Sequence, residues 1–96
     1  MAKLDTVIHA PNRLQICALL ATSAELDFRL IKERLDVSDS VMSKQLKALE
    51  VAKYITMTKR THNGRPKTWV ALTSEGRAAY QSHVEALQAI INTSQG

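Results

Sequence analysis

The clearest pattern in the chain runs from Ser38 to Val51, SDSVMSKQLKALEV, where Met42, Leu46 and Leu49 recur at i, i+4 and i+7. That spacing draws one apolar stripe along a helix and leaves Asp39, Ser40, Ser43, Lys44 and Lys47 on the opposite side. Ser38 predicts where the helix begins, because its hydroxyl can accept a hydrogen bond from an orphan amide of the first turn. Upstream, Pro11 suits the first position of a helix reaching about Thr22. Leu14, Cys17, Ala18 and Ala21 form one face of it, and Ile16, Leu19 and Leu20 widen that face enough to predict burial on more than one side. Leu4, Val7 and Ile8 mark a short amphipathic turn before Pro11. Ser23 to Leu26 reads as a connection, after which Asp27 can cap a helix from Phe28 to Leu35, striped by Phe28, Ile31 and Leu35 with Leu30 off the stripe. Only Asp36 and Val37 separate that helix from Ser38, so the two helices must meet at a steep angle, as in a helix-turn-helix. Asp36 is expected to reach positive φ there, which it tolerates better than most residues.

Beyond Lys53 the period becomes two. Tyr54 to Thr58 and Thr68 to Leu72 read as strands, with Ile55, Met57, Val70 and Leu72 facing the core, and Arg60 to Lys67 joins them through the turn pair Asn63-Gly64. Thr73 caps a last helix, with Glu75 near the positive end of its dipole. Two stripes lie side by side on it: Tyr80, Val84, Leu87 and Ile91, and Ala79, His83, Ala86 and Ile90. So wide a band predicts that this helix, with the turn at Leu4, Val7 and Ile8, packs against a second copy of the chain.

Ninety-six residues support one domain with a modest core. The longest apolar run, Leu14 to Ala24, is interrupted by Gln15, Thr22 and Ser23 and is too short to span a bilayer, so neither a membrane helix nor a signal peptide is expected and the protein is placed in the cytoplasm. The net charge of +4 is unevenly distributed. Residues 41–72 carry seven bases against one acid, whereas the segments before and after are each slightly acidic. The excess therefore falls on the Ser38 helix and the hairpin after it, where a polyanion would dock. Short polar groups early on the helix and lysines further along are what a helix in the DNA major groove needs, and a hairpin carrying Arg60, Arg65 and Lys67 can reach a minor groove or phosphates.

Cys17 is the sole cysteine, so an internal disulfide is excluded and a buried, apolar role is expected. His9, Cys17, His62 and His83 show no paired metal-ligand spacing; no metal site is assigned, with a site shared by His9 and His83 across a dimer kept as the alternative. No cofactor is expected. Neither a nucleophile-base pair nor a phosphate-binding glycine loop can be argued from spacing, so no enzyme is read.

The order helix, helix-turn-helix, basic hairpin, helix, with VMSKQLKALEVAKYI and the LTSEGRAAY stretch at Leu72 to Tyr80, resembles the MarR-like winged-helix transcription regulators, in particular short members of about 100 residues. The resemblance implies a mainly α fold with a small β-hairpin (α+β): a three-helical core, a wing and a C-terminal dimerisation helix. Its helix-turn-helix would be residues 28–51, its wing 54–72, and its dimer contacts residues 1–10 and 74–92. A homodimer would set two recognition helices in successive major grooves of a palindromic operator, most simply as a repressor, with any small-molecule effector unspecified. Taken with the residue reading, DNA contacts are expected from Asp39, Ser40, Ser43, Lys44, Lys47, Arg60, Asn63, Arg65 and Lys67. Dimer contacts are expected from Leu4, Val7, Ile8, Tyr80, His83, Val84, Leu87, Ile90 and Ile91. Family members usually carry glycine where Asp36 and Lys53 stand, so Lys53 should itself adopt the left-handed cap, at a cost of roughly 1 kcal/mol or more relative to glycine. The competing reading is a winged helix used for protein–protein contact without sequence-specific DNA binding.

Overall fold

The computed structural model describes residues 3–95, and side chains through residue 93; Met1, Ala2 and Gly96 lie outside the described residues. Four helices and a three-stranded antiparallel sheet follow in the order α1 (Pro11–Leu20), β1 (Leu26–Asp27), α2 (Phe28–Leu35), α3 (Asp39–Val51), β2 (Ile55–His62), β3 (Arg65–Leu72) and α4 (Ser74–Gln95). The expected mainly α winged helix is the architecture found. Its core gathers Ile16, Cys17 and Leu20 of α1, Ile31 of α2, Met42, Leu46 and Leu49 of α3, and Ile55 and Val70 of the sheet. The i, i+4, i+7 stripe of α3 is thus wholly internal, while Leu30, off the stripe of α2, is exposed.

Local chemistry sets the ends of the elements. Asp27 caps α2 by accepting from the Arg29 amide, and Ser38 caps α3 by accepting from the Val41 amide. Asp36 closes α2 in the left-handed region at φ 54°, as the two-residue turn requires, and Lys53 does the same after α3 at φ 66°. The Thr73 hydroxyl accepts from the Gly76 amide at 2.9 Å and donates to the Lys53 carbonyl at 2.7 Å, tying the start of α4 to the end of α3. Tyr54 sits at that junction. Its amide donates to the Leu49 carbonyl, its carbonyl accepts from the Thr73 amide, and its hydroxyl donates to Asp5 at 2.6 Å.

Three expectations need correction. The hairpin strands are longer than the alternation indicated: His62 pairs with Arg65, so the basic segment belongs to the ladder and only Asn63-Gly64 remains as the turn. Both turn residues have positive φ, 53° and 76°, the requirement of a two-residue turn that follows the strand twist. Backbone pairing continues along this ribbon without a buried face to mark it in the sequence. Second, the segment ending at Leu26, read as a connection, enters a strand: Leu26 pairs with Val70 and Asp27 with Trp69, giving the sheet order β1-β3-β2. Two residues are too short to produce a periodic signal.

The third correction concerns the dimer contacts. Ile8 and His83 have no accessible surface in the single chain, because the N-terminal turn and the first half of α4 cover one another. They cannot form a subunit contact without unfolding that packing. Val7 and Tyr80 are also partly buried against the same core. Of the expected set, Leu4, Ile90 and Ile91 remain exposed, and Val84 and Leu87 are half-buried. The doubled stripe of α4 therefore divides along its length: its beginning packs internally and its end presents apolar side chains outward.

Candidate nucleic-acid interface

With Met42, Leu46 and Leu49 turned inward, α3 presents Asp39, Ser40, Ser43, Lys44 and Lys47 to solvent, all exposed. They are not equivalent. Asp39 is paired with Lys32 of α2 at 2.7 Å, so it braces the turn between the two helices. The Ser40 hydroxyl lies 3.2 Å from that of Ser38. Gln45, on the flank of the helix, accepts from Arg13 of α1 at 3.0 Å and helps fix its rotation. Ser43, Lys44 and Lys47 are left to act outward, with the hydroxyl nearer the N-terminal half and the cations further along.

Cross-strand partners in a hairpin share a face. The pairs His62–Arg65 and Arg60–Lys67, with Thr58–Trp69 behind them, therefore gather Arg60, Arg65 and Lys67 on one side of the ribbon, opposite the side that Met57 and Val70 present to the core, on which the exposed Lys59 lies. Two clefts connect this hairpin to α3. One is lined by His62, Asn63, Arg65 and Lys67 of the hairpin with Phe28 and Arg29 of α2, and the other by Phe28, Arg29, Lys32, Asp39 and Ser43. Both clefts are bordered by Phe28 and Arg29 of α2, and acids line them beside the cations: Asp27 in the first, Glu33, Asp36 and Asp39 in the second.

Sequence reasoning did not single out Arg29, which lines both clefts, or Lys32, which lines the second and is held by Asp39. Both lie on the polar side of the α2 stripe, and the signal was available: a helix-turn-helix brings the start of its first helix beside the polar face of its second. Conversely, two expected wing contacts are already engaged. Arg60 forms an ion pair with Glu25 and lies over the Trp69 ring, its guanidinium carbon 4.8 Å from the ring centre. Lys67 lies 3.7 Å from Asp27. Arg65 and Asn63 are exposed at the tip.

The remaining ionisable cluster lies away from this surface, where the N-terminal turn meets α4. Asp5 accepts from the amides of Val7 and Ile8 and from the Tyr54 hydroxyl, and its own amide donates to His83 Nδ1 at 2.9 Å. Burial raises the Asp5 carboxyl, but the Tyr54 bond and the two amides outweigh it and hold it below its usual value. The Asp5 bond, with burial, pushes the Tyr54 hydroxyl to about 12. Because His83 Nδ1 accepts, the neutral ring carries its proton on Nε2, which faces His9 Nδ1 at 3.5 Å. A protonated Nε2 cannot ligate a metal, which argues against the shared His9–His83 site; among the described residues no group of three or more His, Cys, Asp or Glu is placed to hold one. Burial lowers the His83 pKa further, assisted by His9 and opposed by Asp5. Cys17 is buried and its thiol is pushed up to about 11, chiefly by burial, so it is not poised as a reactive thiolate.

Residues 12–91 match the family model for a winged helix DNA-binding domain. The chain belongs to this family of DNA-binding winged helices, and its form is the MarR-like one. An uncharacterised protein of Methanocaldococcus jannaschii is 34% identical over 83 residues, spanning 85% of this chain and 90% of its own. Among solved structures, a transcriptional regulator homologue from Pyrococcus horikoshii superposes with a TM-score of 0.87 at 24% identity, covering 93% of this chain and 88% of that one. The YusO protein of Bacillus subtilis gives 0.81 at 25% identity, covering 93% of this chain and 62% of its longer one. The matched family is one of DNA-binding winged helices, and the superposed structures share its fold. Among the described residues no helix is long and apolar enough to cross a membrane.

Proposed function

We propose that this protein is a sequence-specific transcriptional regulator that binds a palindromic operator as a homodimer and represses by occupying promoter DNA. The observation that carries the reading is the surface formed by two clefts that share Phe28 and Arg29 of α2 and reach Ser43 of α3 on one side and Arg65 of the hairpin on the other. A duplex laid along it would meet Ser40, Ser43 and Lys44 at base edges in the major groove. Lys47 and Arg29 would neutralise flanking phosphates, and Arg65 with Asn63 would follow the backbone or the minor groove. The outward apolar end of α4, with Leu87, Ile90 and Ile91, supports a twofold partner there, with Leu4 as a further exposed apolar contact.

Selection of bound sites from random duplexes tests the proposal directly, with enrichment of an inverted repeat as the expected result. Lys47→Ala should weaken binding to all sequences alike, whereas Ser43→Ala or Lys44→Ala should alter sequence preference. Equal losses on selected and random DNA for all three variants would defeat the assignment. Salt-insensitive capture of a protein, with no DNA shift at low ionic strength, would instead favour the protein-interaction reading.

A further inference from the structure

The sheet order makes the Arg60 ion pair unusual. Arg60 is on β2 and Glu25 immediately precedes β1, yet these strands are not neighbours; β3 lies between them. Arg60 reaches its carboxylate only by lying across β3, and the side chain it crosses there is Trp69. The register explains why this arrangement is favoured. Arg60 stands directly opposite Lys67, a like-charge pair that would repel across the ladder. Asp27, paired in register with Trp69, faces Lys67, and Glu25 faces Arg60, so each cation of the repelling pair has an acid from the β1 edge. Trp69 gives the planar guanidinium a platform on the way.

We propose that Glu25 is a positioning residue that holds Arg60 against Trp69 and away from nucleic acid, thereby limiting the hairpin's attraction for DNA of any sequence. The proposal rests on the reading of the hairpin as a DNA-contacting wing. Arg65 at the exposed tip is then the cation through which the wing engages phosphate, while Arg60 is held back with its charge locally balanced. A β1 edge of two residues thus sets how much of the hairpin's charge is offered outward.

Two measurements on the full chain test this. The first is the salt dependence of binding to a random duplex. Glu25→Gln should steepen the slope of log affinity against log salt by about 0.9, the contribution of one added phosphate contact. In an Arg60→Gln background the same substitution should change the slope no further, which separates release of Arg60 from the general loss of an acid. The second measurement needs no DNA. Trp69 is the only tryptophan, so acrylamide quenching of its emission reports directly on the guanidinium covering the ring. Both Glu25→Gln and Arg60→Gln should raise the quenching, by similar amounts. Unchanged quenching in Glu25→Gln, or a slope change that persists in the Arg60→Gln background, would overturn the proposal. If the wild-type protein bound no duplex at any salt, the regulator reading would fail, while the quenching comparison would still decide whether Glu25 holds Arg60.

Discussion

Gly76, in the first turn of α4, is a position where two rules of stability give opposite signs. Helix propensity favours Gly76→Ala by about 1 kcal/mol, since alanine loses less backbone entropy in a helix. The neighbouring backbone opposes it: a Cβ built on Gly76 would stand 2.0 Å from the Tyr54 carbonyl oxygen and 2.8 Å from its carbon. The obstacle is main chain, so no side-chain rotation relieves it, and the start of α4 would have to withdraw by about an ångström. That movement stretches the bonds from the Thr73 amide to Tyr54 and from the Thr73 hydroxyl to Lys53. Overpacking costs about 1–3 kcal/mol, and each hydrogen bond contributes about 1 kcal/mol net. After crediting the propensity gain, a net loss of about 2–4 kcal/mol is expected. At about 4–8 °C per kcal/mol for a domain of this size, Tm should fall by roughly 8–32 °C. Far-UV circular dichroism melts at a single protein concentration measure this, with Ala78→Gly on the exposed side of the same helix as the control for propensity alone. A Gly76→Ala melt equal to or above wild type would refute the reasoning and show that the close approach to Tyr54 is not maintained.

Two further predictions follow from the backbone and from the buried histidine. Lys53→Gly should stabilise the protein by about 1 kcal/mol, because φ 66° strains a side chain and not a glycine and the lysine is exposed; a lower denaturant midpoint in the variant would contradict it. The folded His83 pKa lies below its ordinary 6.5, so the unfolded chain takes up a proton first as pH falls. Its contribution to stability is complete above about 6.5 and is lost as pH drops from there toward the folded value. Thermal melts between pH 7.5 and pH 5 should show this decline. His83→Gln should flatten it, and an equally steep decline in that variant would place its origin elsewhere.

The legible parts of this fold were those where burial imposes a period. Met42, Leu46 and Leu49 fixed the buried side of α3 and hence its polar side, and the two residues between α2 and Ser38 fixed the turn and the left-handed Asp36. The sheet was less legible because its outer half has no buried face: Thr58, Arg60, His62, Arg65 and Lys67 pair through the backbone while their side chains stay polar. The β1 edge was missed for a related reason, and with it the acids that occupy Arg60 and Lys67. A charge count finds where cations concentrate but not which of them are already neutralised. On α4, the width of the apolar band did not show which part of it the N-terminal turn covers: His83 is buried within the single chain, whereas Ile91 is exposed.

At Tyr54 the backbone closes α3 and receives the first turn of α4, while the side chain holds the N-terminal segment. The base of the hairpin starts one residue later. Four stretches of chain are therefore spliced at one residue, and no seam runs between the half of the molecule that carries α3 and the hairpin and the half that carries α4. Strain applied at either extremity has one short route to the other, and the whole should come apart as a single unit.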